Sequence, residues 1–382
     1  MVEEITSKIS IYDVISSRVN LSKKGKEFQA PCPFHSEKTP SFTVSPEKGF
    51  YHCFGCGAHG NAIGFVMAFD NLSFKESIHK IANEYGIIIK SFGKQKSVEQ
   101  ANKEERQLDL LQKISQFFVI NLKHHSGSQA LEYIQKRHIS EENIANFNIG
   151  FAPNDFNTLI NFLQKNHFSE VEILKSGIIG KGDKGNLYSK FKNRLVFPIA
   201  DKNNQIIAFG GRRLDEEIQP KYLNSSETDL FKKSQNLYNQ HFARREAYKA
   251  KFILVTEGYM DVVSLFQHGI KNVVAPLGTA ISKDQIDLLR QFSEKVIFCL
   301  DGDNAGLKAV ERVIEIILPI LDGKNFFNFV FLPKGLDPDD FVRNFGKGKM
   351  LQFCNEAKNL SEVIFDLTLK NCAAENLSSY SP

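Results

Sequence analysis

No stretch of the 382-residue chain reaches 18 uninterrupted apolar residues, so the sequence offers no membrane-spanning helix. The N-terminus, MVEEITSKIS, is acidic and amphipathic, whereas a secretion signal needs a basic segment leading into an apolar run. No G-K-[ST] phosphate loop occurs, which excludes a P-loop helicase fused to the chain. There is no internal repeat of fixed period and no low-complexity block. Cysteine is sparse: of six, only Cys32, Cys53 and Cys56 lie near one another, and Cys299, Cys354 and Cys372 are scattered. A disulfide framework would be dense and short, so this pattern suits a reducing cytoplasm and one metal site. Net charge is also small, at +4 from 48 Lys and Arg against 44 Asp and Glu. That is too little to mark a nucleic-acid binder, and only the placement of charge can do so. What is present is ordinary core-forming material, 42% hydrophobic and 24% charged, enough for two or three folded domains.

Three regions separate along the chain. Residues 1–90 contain the clustered cysteines flanked by expected helices. The polar run SFGKQKSVEQANKEERQ, 91–107, has little to bury and reads as a linker or a solvated helix start. Apolar periodicity returns at Leu108, where LLQKISQFFVINL and ALEYIQKRHI predict amphipathic helices. RLVFPIADKNNQIIAFGG predicts a hairpin turning at DKNN. From Lys251 strands and helices alternate. FILVTEG, NVVAPLG, KVIFCLD and FFNFVFLP are strands separated by helical segments, implying right-handed crossovers and a largely parallel sheet.

Two short knuckles suggest zinc. Cys32 and His35 sit in PCPFH, and Cys53 and Cys56 in YHCFGCGAHG, each pair separated by two residues. Tetrahedral zinc takes four such ligands from two turns, and Pro33, Gly55 and Gly57 help the chain bend around the ion. His52 and His59 are rival histidines, but His35 completes a knuckle and they complete nothing. All four positions would be filled by protein, so the metal would be structural. Binding by such a module is worth about 10–16 kcal/mol, against ~5–15 kcal/mol for a typical domain. Its removal should largely unfold this region.

Acidic residues follow the strands of the alternating region. Glu257 ends the first strand, and Asp261 lies four residues on, sharing a helical face with it if the helix begins by Gly258. Asp301 and Asp303 end the third strand, and Asp337, Asp339 and Asp340 follow the fourth. Ligands of open parallel sheets bind beyond the carboxyl ends of the strands, so these groups should face one edge. Two carboxylates ~4 Å apart repel by about 4 kcal/mol at an effective dielectric of 20. A cluster therefore calls for cations, and hard oxygen donors suit Mg2+ or Mn2+. Each acid alone is weak evidence, because Asp after a strand is commonly a helix cap and DPDD is open to that reading.

At this point the chain resembles a known family. PCPFHSEKTPSFTV with GFYHCFGCGAHGNAIGFVM is similar to the zinc-binding domain of bacterial DnaG-type primases. TEGYMDVVSLFQHGIKNVVAPLGTA and CLDGDNAGLKA resemble the toprim core of that family. FNIGFAP, NRLVFPI, FGGR, PKYLNS and LFKKSQNLY resemble its remaining landmarks, in order from Met1 to about Asp366. The resemblance implies an α/β multidomain fold. Its parts are a zinc ribbon (1–90), a linker (91–107), a mixed α+β basic subdomain (108–250), a mainly parallel toprim core (251–342) and a C-terminal helical segment (343–382).

It also implies an RNA polymerase that primes single-stranded DNA from ribonucleoside triphosphates in the cytoplasm at replication forks, off the membrane. A replicative helicase and single-stranded DNA-binding protein would be its partners. Cys32, His35, Cys53 and Cys56 would hold zinc. Glu257, Asp301 and Asp303 would be the central catalytic acids on Mg2+ or Mn2+, supported by Asp261, Asp337 and Asp339. Arg194, Arg212, Lys221 and Lys232 match the family's basic groove. Thr256 replaces an apolar residue and Ser226 a proline, without loss of a functional group. The chain stops at Pro382, where family members usually continue into a helicase-binding domain, so a truncation before that domain is expected.

Charge placement agrees. From Lys181 to Lys251 there are fifteen Lys and Arg against eight Asp and Glu, an excess larger than that of the whole chain. Tyr188, Phe191, Tyr222, Phe231 and Tyr238 interleave with those cations, as expected of a surface that neutralises phosphates and stacks bases. A toprim topoisomerase would share the acids but needs a strand-passage domain for which there is no room. A zinc-ribbon binder with a relic core would have no use for Glu257, Asp301 and Asp303.

Overall fold

The computed structural model describes residues 9–37, 39–70, 72, 74–87, 98–182, 185–278, 280–300 and 304–378. They form two compact units, Met1–Ser97 and Val98–Pro382.

In the first unit, helix α1 (Ile11–Ser16) precedes strands β1 (Ser22–Lys24), β2 (Glu27–Ala30), β3 (Phe42–Ser45), β4 (Phe50–Cys53) and β5 (His59–Gly60), followed by α2 (Ala62–Phe69) and α3 (Phe74–Glu84). The strands form an antiparallel sheet in sequence order. Such small strands bury little alone, and the core depends on aromatics. Phe42, Tyr51 and Phe65 are buried and pack ring against ring with Phe34, within about 6 Å between centroids. Arg18 ties the helices together, giving Nε to Asp70 at 3.1 Å and Nη2 to Glu84 at 2.8 Å.

The second unit opens with the long helix α4 (Val98–Lys123), then α5 (Ser128–Lys136), α6 (Glu141–Asn146), β6 (Gly150–Ala152), α7 (Phe156–Lys165) and α8 (Glu170–Leu174). A small hairpin, β7 (Ile179–Lys181) and β8 (Leu187–Ser189), precedes β9 (Arg194–Ala200), β10 (Ile206–Arg213) and β11 (Tyr222–Asn224). The expected hairpin at DKNN is the β9–β10 pair, and the sheet runs β11-β10-β9-β6, all antiparallel. Of the two readings of the polar run, a linker or a solvated helix start, Val98–Gln107 follows the second and is helical.

Alternation follows, and it begins before the expected Lys251. It comprises β12 (Leu237–Tyr238), α9 (Gln240–Ala250), β13 (Ile253–Val255), α10 (Tyr259–Gln267), β14 (Val273–Pro276), α11 (Lys283–Phe292), β15 (Lys295–Leu300), α12 (Asn304–Ile317) and β16 (Phe326–Phe331). Helix α13 (Pro338–Asn355), kinked at Gly346, leads to β17 (Lys358–Asn359) and α14 (Leu360–Ser378). The sheet order is β12-β14-β13-β15-β16-β17, with four central parallel strands and an antiparallel strand at each edge. Helices cover both faces, so β13 is buried along its whole length, and so is β15 from Val296 onward.

Helix α10 carries apolar residues all round because it is covered all round. Tyr259 to Phe266 are buried without a break, and they belong to one core with Phe197 and Ile199 of β9 and Leu254 of β13. The Tyr259 ring stacks on Phe197 at 5.3 Å. Fully burying each such side chain contributes roughly 1.5–3 kcal/mol, which locks the basic subdomain onto the parallel sheet. Among the described residues, no helix is long and apolar enough to cross a membrane.

Candidate metal centre and active site

The two knuckles meet. One ligand atom from each of Cys32, His35, Cys53 and Cys56 falls within 4.8 Å of all the others. Cys32 Sγ and Cys56 Sγ are 3.8 Å apart, as are Cys53 Sγ and His35 Nδ1. A tetrahedral zinc with bonds of about 2.3 Å to sulfur and 2.0 Å to nitrogen sets such edges at ~3.5–3.8 Å, so the donors fit the ion. Each knuckle turns under its own cysteine: Phe34 N–H points at Cys32 Sγ and Cys56 N–H at Cys53 Sγ, both at 3.4 Å. Gly55 is required by space, since a Cβ there would meet His35 Nε2 at 2.7 Å.

The rival histidines lie elsewhere. His52 rests against the Phe54 ring, and His59 Nδ1 is 2.8 Å from the Gly57 carbonyl. Burial pushes the Cys32 thiol up to about 12. For Cys53 burial acts the same way but is outweighed by the hydrogen-bond contacts of the Ser41 side chain and the Cys56 and Gly55 N–H groups, which bring it down to about 7.

Sequence reasoning passed over Glu37. Its Oε1 accepts the N–H of Cys32 at 2.7 Å and of Ser41 at 3.0 Å. Its Oε2 accepts the Ser41 hydroxyl at 2.5 Å and faces His35 Nε2 at 3.3 Å.

The acidic site is a cleft of about 560 Å³ beyond the carboxyl end of β13. Glu257, Asp261 and Asp337 line it together with Arg137, Arg212 and Lys221. Glu257 is carried by strand exit: Thr256 N–H still bonds Val274 O at 2.9 Å, and Glu257 follows at once. Helix α10 begins only at Tyr259, so Glu257 and Asp261 are not an i, i+4 pair on one helical face as expected. Asp261 instead caps the helix, accepting Gly258 N–H at 3.0 Å, and is almost wholly buried.

In the parallel register Val255 pairs with Phe298, which brings Leu300 level with Glu257, and Leu300 lines the same cleft. Asp301 and Asp303 lie outside the described residues. Asp337 is the N-cap of α13, accepting Asp340 N–H at 2.6 Å, and burial, reinforced by the charges of Asp340 and Asp339, pushes its carboxyl up.

Three described residues expected at the site do not line the cleft. Oxygens of Asp337, Asp339 and Asp340 come within 4.8 Å of one another, yet Asp339 does not open to the cleft. Its side chain is fully buried, with Oδ1 held by Arg343 Nε at 2.8 Å and Oδ2 by Arg137 Nη1. Both oxygens accept from guanidinium groups. Arg194 is 2% exposed and donates to the carbonyls of Pro220 at 2.8 Å and Gln219 at 3.3 Å. It braces the segment before β11 and does not line the cleft. Lys232 is also off the cleft, half exposed and 3.9 Å from Glu227.

Of the interleaved aromatics, Phe191, Phe231 and Tyr238 are core, while Tyr188 and Tyr222 are exposed. Arg212 lies over the Tyr133 ring at 4.1 Å, a contact the sequence reading did not include. Tyr133 and Arg137 are four residues apart at the end of α5, and that spacing was the available signal.

Comparison with known proteins finds three family matches along the chain. Residues 1–97 match the family described as CHC2 zinc finger, 117–244 the DNA primase catalytic core, N-terminal domain, and 254–342 the Toprim-like family. The crystal structure of the Aquifex aeolicus primase zinc-binding and RNA polymerase domains is 36% identical, with a TM-score of 0.63, covering 99% of this chain and 89% of that one. This chain belongs to the bacterial DnaG-type primase family. A DnaG primase catalytic domain solved bound to single-stranded DNA is 38% identical over 70% of this chain and 86% of that one, with a TM-score of 0.63. The DNA primase of Haemophilus influenzae is 43% identical over 368 residues, covering 95% of this primase-family chain and 62% of the relative's length.

Proposed function

We propose that this chain is a DNA primase: a DNA-directed RNA polymerase that joins ribonucleoside triphosphates into short primers on single-stranded DNA. The observation that carries the reading is one cleft beyond a parallel sheet that is lined both by carboxylates and by Arg137, Arg212 and Lys221. Acids alone would repel phosphates and cations alone would only bind them, whereas both in one cleft suit nucleotidyl transfer with divalent cations. Hard oxygen donors, and an Asp337 carboxyl raised by burial and like charge, fit such ions.

Glu257, Asp301 and Asp303 would hold Mg2+ or Mn2+, with Asp337 and Asp261 beside them. Bound there, the ions would neutralise the triphosphate and favour ionisation of the attacking 3′-hydroxyl. Arg212 and Lys221 would grip phosphates, Arg212 kept in place by the Tyr133 ring and Arg137 by Asp339. Cys32, His35, Cys53 and Cys56 would hold a structural zinc in a template-binding module. The relative solved with single-stranded DNA supports that template class. The same reading makes the replicative helicase and single-stranded DNA-binding protein its partners, at cytoplasmic replication forks.

The test is ribonucleotide incorporation on single-stranded templates, with Mg2+ or Mn2+ supplied and withheld. Incorporation should require the cation, and Glu257→Gln and Asp303→Ala should each reduce it by about 100-fold or more. Cys53→Ser should release zinc and impair template-directed initiation. Wild-type incorporation by Glu257→Gln would remove the polymerase reading.

A further inference from the structure

We propose that Glu37 is a positioning residue of the metal centre, fixing the tautomer and orientation of His35 and joining the two knuckles through Ser41. The inference rests on the zinc reading and not on the polymerase activity. His35 turns Nδ1 toward the cysteines and Nε2 toward Glu37 Oε2, at 3.3 Å. A neutral imidazole that ligates through Nδ1 carries its proton on Nε2, and that N–H needs an acceptor. Glu37 is where the acceptor stands. Carboxylates in this place raise the basicity of a ligating histidine and hold its ring in plane with the ion.

The carboxylate also serves the chain around it. Oε1 collects the N–H groups of Cys32 and Ser41, which closes the loop from the first knuckle to the start of β3. Oε2 takes the hydroxyl of Ser41, whose Oγ lies 3.2 Å from Cys53 Sγ. One side chain therefore touches Cys32 by its backbone and His35 by its ring, and reaches Cys53 at one remove. Ligands that are far apart in sequence are thereby held at metal-binding separation by a group that touches no metal.

The geometry makes a sharp distinction between Glu and Gln. Both carboxylate oxygens accept, whereas Gln has one acceptor and one NH2 group. If the Gln oxygen receives the backbone N–H groups, its NH2 confronts His35 Nε2–H. If it receives His35, the NH2 confronts two backbone donors. Gln cannot satisfy both sides.

The measurement is zinc release from the full chain, followed with a chromogenic chelator at neutral pH, for wild type, Glu37→Gln, Glu37→Ala and Ser41→Ala. Far-UV circular dichroism of each loaded protein reports folding. Release should be about 10–100-fold faster for both Glu37 variants than for wild type, with a smaller acceleration for Ser41→Ala. Cobalt-substituted Glu37→Gln should show a ligand-field spectrum shifted from wild type, because the histidine donor is no longer held. If Glu37→Gln is loaded, folded and releases zinc at the wild-type rate with an unchanged cobalt spectrum, Glu37 has no such role. If Glu37→Ala fails to fold, the Glu37→Gln comparison alone decides. A wild-type chain that binds no zinc would overturn the metal reading itself, an outcome distinct from failure at Glu37.

Discussion

Arg194 and Lys221 show how differently two cations of one basic stretch are used. Arg194 is surrounded by carbonyls and almost inaccessible, so its charge supports the backbone on which Lys221 stands. Arg194→Ala should cost on the order of 3 kcal/mol in urea unfolding, because hydrogen bonds from a charged, buried guanidinium contribute ~1.5–3 kcal/mol each. Lys221→Ala should change stability by no more than about 0.5 kcal/mol. It should weaken binding to single-stranded DNA across sequences and lower the slope of log affinity against log salt by about 1. The same contrast holds among the acids. Asp339 is wedged between Arg137 and Arg343, and Asp339→Ala should destabilise by about 3–5 kcal/mol, as removal of one partner from a buried ion pair does. Nothing in the spelling DPDD distinguishes Asp339 from Asp337, because the distinction is made by Arg137, 202 residues away in the chain.

At the scale of elements, helix α4 shows why a polar run became ordered. Its second half buries Leu110, Leu111, Ile114, Phe117 and Phe118, and once that part is nucleated the preceding Glu, Gln, Ala, Lys and Arg extend it at little cost. Lys103 and Glu99 add an i, i+4 pair at 2.6 Å. The helix is then clamped to α8. Arg106 Nε meets Glu172 Oε1 at 2.8 Å, its guanidinium covers the Phe168 ring at 4.3 Å, and Glu172 also closes the capping box with Ser169. Arg106, followed by the Ser169 N–H and hydroxyl, holds the Glu172 carboxyl down to about 2. A carboxyl depressed on folding stabilises the fold above its unfolded value of about 4.5, and this contribution fades as pH falls toward 2. Glu172→Gln should therefore lower the melting temperature at pH 7, and the difference from wild type should shrink steadily between pH 4.5 and pH 2. A difference independent of pH would mean that the carboxylate charge contributes nothing.

At the scale of the whole molecule, the two units should respond separately to metal removal. The 1–97 unit has one apolar cluster, with an aromatic core around Phe42, Tyr51 and Phe65, and depends on its four ligands, whereas the 98–382 unit has three apolar clusters of its own, two of them larger. A chelator should abolish protection of amide hydrogens in residues 9–87 and leave the strands of the parallel sheet protected, as read by hydrogen exchange with peptide resolution. Loss of protection in β13 and β15 as well would show that zinc supports the second unit too.

Much of this was legible in the chain itself, where the information is local. Two-residue knuckle spacing, strands written as apolar runs and a turn written as DKNN are short-range signals, and the corresponding elements formed where they were expected. The side-chain grouping of Cys32, His35, Cys53 and Cys56 follows from those same local turns. What only the tertiary structure decided is which charges are free. Arg194 and Asp339 were given site roles, and Arg137 and Glu37 were passed over, because a guanidinium or carboxylate has the same identity whether it faces solvent, a ligand or a backbone carbonyl. Its partners come from distant segments, and desolvation makes those partners obligatory. Folding chose them; composition and spacing could not.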